Sequence, residues 1–211
     1  MAQAIFGSRS SGSGPAPRFA VLLLRPPPVQ AMALRLALAT LLSGSASAYM
    51  CPGSPSSVYA WSETTTTVSK ATCKAVKDEM LARVNGQTST AWHDPHNNGH
   101  YALLSQDGGR LDFSRKTGNG QYTDKLTFTF EDEADGCKVS GCSESQVFSI
   151  ADFSTNYCNL RMLYCGASDG CHPVTKDGQS FSVKETEVTS SFGASHDPSA
   201  CLKTAATSFF A

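Results

Sequence analysis

Long apolar runs are missing from this chain of 211 residues. The best candidate, residues 36–42, falls well short of the roughly 20 residues a helix needs to cross a bilayer. No transmembrane segment is therefore expected. A surplus of positive charge is missing too, with 17 Lys and Arg against 18 Asp and Glu. Nucleic-acid binding asks for a basic patch, and none is visible. Catalytic signatures are equally scarce. There is no Gly-x-Ser-x-Gly elbow, and Gly141-Cys-Ser143-Glu-Ser145 departs from it at the final glycine. No Asn-x-Ser/Thr glycosylation acceptor occurs either; Asn156-Tyr157-Cys158 is its cysteine variant.

The N-terminal part is read as targeting sequence rather than as fold. Met32-Ala-Leu-Arg35 supplies a basic start, residues 36–42 an apolar stretch, and Ala46-Ser47-Ala48 the small residues a signal peptidase accepts. Residues 32–48 are thus expected to be a signal peptide cut after Ala48. Residues 1–31, with Arg9, Arg18, Arg25 and no acidic side chain, read as an extension upstream of a true start at Met32, or as an organelle presequence. Cleavage at that point leaves thirteen basic against eighteen acidic residues, a net charge of −5 on a chain long enough for one domain.

All eight cysteines, Cys51, Cys73, Cys137, Cys142, Cys158, Cys165, Cys171 and Cys201, follow that point. An even number behind a secretory signal reads as a disulfide framework closed in an oxidising compartment. Structural zinc competes for the same residues, but it favours paired C-x-x-C spacings, whereas four, fifteen, six and five residues intervene along 137–171. Which cysteine pairs with which is not legible from spacing.

Residues 49–68 are rich in Pro, Ser and Thr and are expected to be an extended lead-in. A helix is expected over 69–84, where Cys73, Val76, Met80 and Val84 make one apolar stripe and Asn85-Gly86 offers a stop. Its Cys73 could pin the helix to a sheet. Strands are expected at 88–93, 101–106, 110–114, 122–130, 146–153 and 179–188. Leu126, Phe128 and Phe130 alternate with Thr127 and Thr129 most cleanly, which gives an apolar inner face. The expected fold over 69–205 is α+β: one N-terminal helix on an antiparallel meander of five or six strands, disulfide-stabilised, with a cystatin-like layout by analogy. The Gln-x-Val-x-Gly loop of cystatins is absent.

Four segments, Trp92-His-Asp-Pro-His-Asn-Asn-Gly99, Arg115-Lys-Thr-Gly-Asn-Gly-Gln-Tyr-Thr-Asp124, Cys142-Ser-Glu-Ser-Gln146 and Asp152-Phe-Ser-Thr-Asn-Tyr-Cys-Asn159, resemble those of uncharacterised secreted cysteine-rich proteins of unicellular algae and related protists. The resemblance spans roughly residues 73–201. It implies secretion and no particular activity.

Two groups of residues are candidates for a site. His93, Asp94, His96 and His100 crowd one turn, and imidazoles with a carboxylate can hold a transition metal with one position open for water. Asp-Pro and Asn-Gly also form turns on their own, so the same loop reads more simply as structure. Tyr157, Asn159 and Tyr164 combine rings with an amide and suit an uncharged ligand, though a disulfide-tied corner uses the same groups. The acidic run Glu131-Asp-Glu-Ala-Asp135-Gly136 resembles the start of a calcium loop, but its twelfth position is Cys142 rather than Glu. The leading expectation is a secreted, non-catalytic binding domain for an extracellular ligand or protein, carbohydrate or peptide, without a cofactor. Metal-assisted hydrolysis at 93–100 and inhibition of extracellular proteases are the alternatives.

Overall fold

The computed structural model describes residues 51–203; the expected signal peptide and upstream extension lie outside them. Six strands form one antiparallel sheet: β1 (Trp61–Ser69), β2 (His100–Asp107), β3 (Arg110–Lys116), β4 (Thr123–Glu133), β5 (Gly136–Ser145) and β6 (Ser182–Ser190). Their spatial order is β2-β3-β4-β5-β1-β6. The sheet is therefore a four-strand meander extended by the first and last strands. Helices α1 (Cys73–Ser89) and α2 (Thr155–Tyr164) pack against it, and a short α3 (Pro198–Cys201) is the last element among the described residues.

Three expectations are corrected. The extended lead-in does not run to residue 68 as a segment outside the domain, because Trp61–Ser69 is an interior strand paired on both sides. Three of its four inward positions, Ser62, Thr64 and Thr66, are polar and buried and only Val68 is apolar, so no apolar alternation announced it. Threonine is β-branched and fits a pleated surface regardless. There is also a second helix, α2, with Tyr157, Leu160, Leu163 and Tyr164 buried at helical spacing. Finally, residues 88–93 and 146–153 are not strands. Helix α1 runs through Asn85-Gly86 to Ser89, and Trp92 folds back on Gly86, where a Cβ would lie 3.2 Å from that of Trp92.

The core is continuous from helix to sheet. Val76 and Met80 of α1 and Leu160 and Leu163 of α2 meet Val68, Leu111, Phe113, Leu126, Phe128 and Val139. Gly141 allows the close approach of α2, since a Cβ at that position would stand 3.0 Å from the Phe128 ring and 3.1 Å from Leu160.

Four disulfides connect these parts: Cys51–Cys142, Cys73–Cys137, Cys158–Cys201 and Cys165–Cys171. No cysteine is left free among the described residues. Cys73–Cys137 joins α1 to β5, as the position of Cys73 on the helical stripe suggested. Cys51–Cys142 ties the N-terminal segment to β5, where Gly53 N–H donates to Glu144 at 2.5 Å and Ser54 Oγ to the Ser145 carbonyl at 2.7 Å. No helix among the described residues is long and apolar enough to cross a membrane.

Candidate functional site

A groove of about 710 Å³ opens where three connections meet. They are the turn before β2, the β3–β4 connection, and the loop between β5 and α2. Each is held by specific local chemistry. Asn97 and Asn98 are both left-handed, at φ 56° and 48°, a conformation that asparagine tolerates. Gly118 N–H donates to Asn97 O at 3.0 Å and locks this turn to the next. Only glycine fits there, because a Cβ would lie 2.6 Å from the same carbonyl. The β3–β4 turn is closed by Thr117, whose hydroxyl accepts from Tyr122 N–H at 3.1 Å and donates to Asn119 Oδ1 at 2.7 Å.

The third wall, residues 146–154, explains why a strand was expected and does not form. Val147, Phe148, Ile150 and Phe153 carry apolar character, but their side chains face solvent rather than the core. Phe148 is 66% exposed and Phe153 81%, and Phe153 and Ser154 both have positive φ, at 50° and 70°. Asp152 imposes that bend. Its Oδ1 accepts from Ser154 N–H at 3.1 Å, while Oδ2 accepts from Asn156 N–H and Asn156 Nδ2, each at 3.0 Å. The carboxylate thereby satisfies donors at the start of α2.

Asp124 and Ser145 lie beneath this rim and are buried, yet both line the groove. Ser145 Oγ donates to Asp124 Oδ1 at 2.7 Å, and Asn159 Nδ2 donates to Asp124 Oδ2 at 2.8 Å. Asn156 Nδ2 extends the network to Ser145 Oγ at 3.2 Å, and Ser143 Oγ donates to Asn156 Oδ1 at 2.7 Å. Burial pushes the Asp124 carboxyl above its usual range, and the two donors only partly offset this.

The histidine turn is dispersed by the fold. Asp94 is fully buried against Arg115, with Nη2 at 2.7 Å and Nε at 2.8 Å. His96 is buried as well. Its Nδ1 lies 3.0 Å from the Ala200 carbonyl and must donate to it, which leaves Nε2 as acceptor for Thr155 Oγ1 at 3.2 Å and Asn97 Nδ2 at 3.0 Å. Desolvation holds this imidazole below its ordinary pKa. His100 faces the groove, whereas His93 lines a separate cavity of about 260 Å³ beside Trp92 and His172. The four do not converge as a ligand set. Among the described residues the one group close enough for shared ligation is Cys51, Cys142 and Glu144, and those two sulfurs are bonded to each other.

Tyr157, Asn159 and Tyr164 are likewise corrected as ligand contacts, for all three are completely buried. Tyr157 OH donates to Glu185 at 2.5 Å, Asn159 supports Asp124, and Tyr164 OH lies 3.4 Å from Thr66 Oγ1. They sit on α2, a helix that was not expected; the sequence pattern assigns these residues to no element. The acidic run is the β4–β5 hairpin, and Asp132 Oδ1 there accepts from Cys73 N–H at 3.0 Å at the start of α1. Of the groove itself, Asn97, Asn98, Tyr122 and Phe153 lie in segments singled out for their turn residues and rings. Their convergence had no local signal.

Neither a family model nor a curated protein sequence matches this chain.

Proposed function

We propose that the protein is a secreted, disulfide-locked binding domain whose ligand seat is the groove between residues 97–98, 117–122 and 148–155. The observation that carries this reading is Phe153, a large apolar ring held in left-handed backbone and 81% exposed at the groove's edge. Left-handed backbone costs a non-glycine residue of this size about 1–3 kcal/mol, and an exposed ring gains nothing in return from the fold. Such strain is retained where the side chain is used. Phe148, Ile150 and Tyr122 line the same groove, which has the volume and the mixture of apolar walls with a few fixed polar groups that suit a small ligand.

The four disulfides support an oxidising destination, in keeping with the signal segment read at 32–48. Metal-assisted hydrolysis loses its support at 93–100, since the nitrogens of His96 and the oxygens of Asp94 already have partners. The protease-inhibitor reading drew on a cystatin-like layout with a single helix. A second helix and the insertion of β1 between β5 and β6 leave that analogy little to rest on.

Two measurements test the proposal. Expression in a eukaryotic secretory host should release protein whose N-terminus is Tyr49, and retention of the uncleaved chain in the cytosol would contradict secretion. Backbone amide shifts on titration with carbohydrate and peptide fragments should cluster at the three groove segments. Shifts confined to another surface would refute the seat.

A further inference from the structure

Resting on the groove as the ligand seat, we infer that what it holds is a neutral saccharide. Charge narrows the choice first. No Lys or Arg lines the groove, while Asp124 and Asp152 both do, so a phosphate, sulfate or uronate would meet carboxylates and no cation. Polar groups narrow it further. Each oxygen of Asp124 accepts one hydrogen bond from the protein, from Ser145 and from Asn159, and a carboxylate oxygen has two lone pairs. Each oxygen thus keeps a second lone pair, and Asp124, though only 1% exposed, is among the residues that line the groove. Asn119, on the adjoining turn, adds an amide that can both donate and accept.

The rim supplies the complementary half. Tyr122, Phe148 and Phe153 are 43%, 66% and 81% exposed, and rings in a water-accessible groove can cover the C–H face of a pyranose while its hydroxyls bond to the floor. Peptide recognition usually adds a strand to an open sheet edge. This groove is instead walled by turns at the strand ends, and it meets the edge strand β2 only at its first residue, His100, rather than running along it.

The test uses the secreted, oxidised protein on an array of neutral oligosaccharides, gluco-, manno-, xylo- and chito-configured. Sulfated and uronic-acid glycans and a peptide library form separate arms, with calorimetry on every hit. The expected result is retention of at least one neutral series, with affinity falling about tenfold in Phe148→Ala and in Phe153→Ala. Both side chains are exposed, so these variants keep the fold. Asp124→Asn should abolish the same binding, with near-ultraviolet circular dichroism reporting whether the core is intact. Binding of peptides or acidic glycans alone, lost in Phe153→Ala, would overturn the saccharide while leaving the groove as the seat. Neutral glycans bound equally well by wild type and both phenylalanine variants would overturn the seat together with the inference. Failure to retain any neutral series at millimolar concentration would overturn the saccharide.

Discussion

Glu79 and Arg83 stand one helical turn apart on α1, 2.7 Å from carboxylate to guanidinium, and neither side chain reaches water. The pair is a junction between elements. Glu79 also accepts from the backbone N–H groups of Val174 and Thr175 and from the Thr175 hydroxyl, at 2.9, 2.8 and 2.6 Å. Arg83 donates to the carbonyls of Met162 and Cys165, at 2.7 and 2.5 Å, and so ties α1 to the end of α2. Removing one member of such a pair strands a buried charge, at a cost of about 3–5 kcal/mol. Glu79→Ala is expected to lose that much in urea unfolding with disulfides intact. Lys74→Ala, which breaks the exposed, solvent-screened Lys74–Asp78 pair on the same helix, should leave the midpoint essentially where it is. Equal midpoints for the two variants would contradict this account.

The crosslinks should differ in value according to the chain they close. Cys51–Cys142 spans 91 residues and Cys165–Cys171 only 6. In the chain-entropy picture these correspond to roughly 4–5 and roughly 2 kcal/mol. The double replacement Cys51→Ser with Cys142→Ser is therefore expected to lower thermal stability more than Cys165→Ser with Cys171→Ser, and full reduction more than either. Melting temperatures of the three samples check the order. Insensitivity to reductant would remove disulfides from the explanation of stability.

What the sequence revealed and what it concealed divide along one line: apolar periodicity was readable, buried polarity was not. The stripe Cys73, Val76, Met80, Val84 marked α1, and the alternation Leu126, Phe128, Phe130 marked β4. Glu79 and Arg83 lie inward on the same helix, but charged residues there look like a solvated face until their partners at 162–175 come into view. Strand β1 was hidden for the same reason, because Ser62, Thr64 and Thr66 are inward and hydroxylic. At 146–153 the error ran the other way, since apolar residues that normally point inward line a groove. Asp124 fell inside the strand expected at 122–130 with no role assigned to it; only the register that sets it opposite Ser145 gives it one.

His96 makes stability depend on pH. Its folded-state pKa is depressed by burial, so the unfolded chain takes up the proton more readily. The contribution is complete above the ordinary histidine value of about 6.5 and is lost as pH falls through the folded value. Unfolding free energy should therefore decline as pH falls below about 6.5, and His96→Gln should flatten that decline while lowering stability at neutral pH. An exposed turn histidine would be freely replaceable, whereas His96→Ala removes contacts to Ala200 and Thr155 and should cost about 1–3 kcal/mol. Parallel pH profiles for wild type and His96→Gln would rule out this assignment.

Phe153 separates stability from binding most sharply. Its backbone, at φ 50°, suits glycine better than an aromatic residue, and the exposed ring contributes little to the core. Phe153→Gly is therefore expected to raise unfolding free energy by about 0.5–1 kcal/mol, because relief of the left-handed conformation outweighs the extra freedom glycine gains when unfolded. Phe153→Ala keeps a Cβ in that conformation and should leave stability near wild type. If the ring is kept for a ligand, both variants should bind more weakly, so the more stable of the two is also impaired. Chemical denaturation paired with the groove titration measures both quantities on the same samples. A glycine variant that is less stable than wild type would mean the ring is packed, and the strain at 153 would then have a structural explanation.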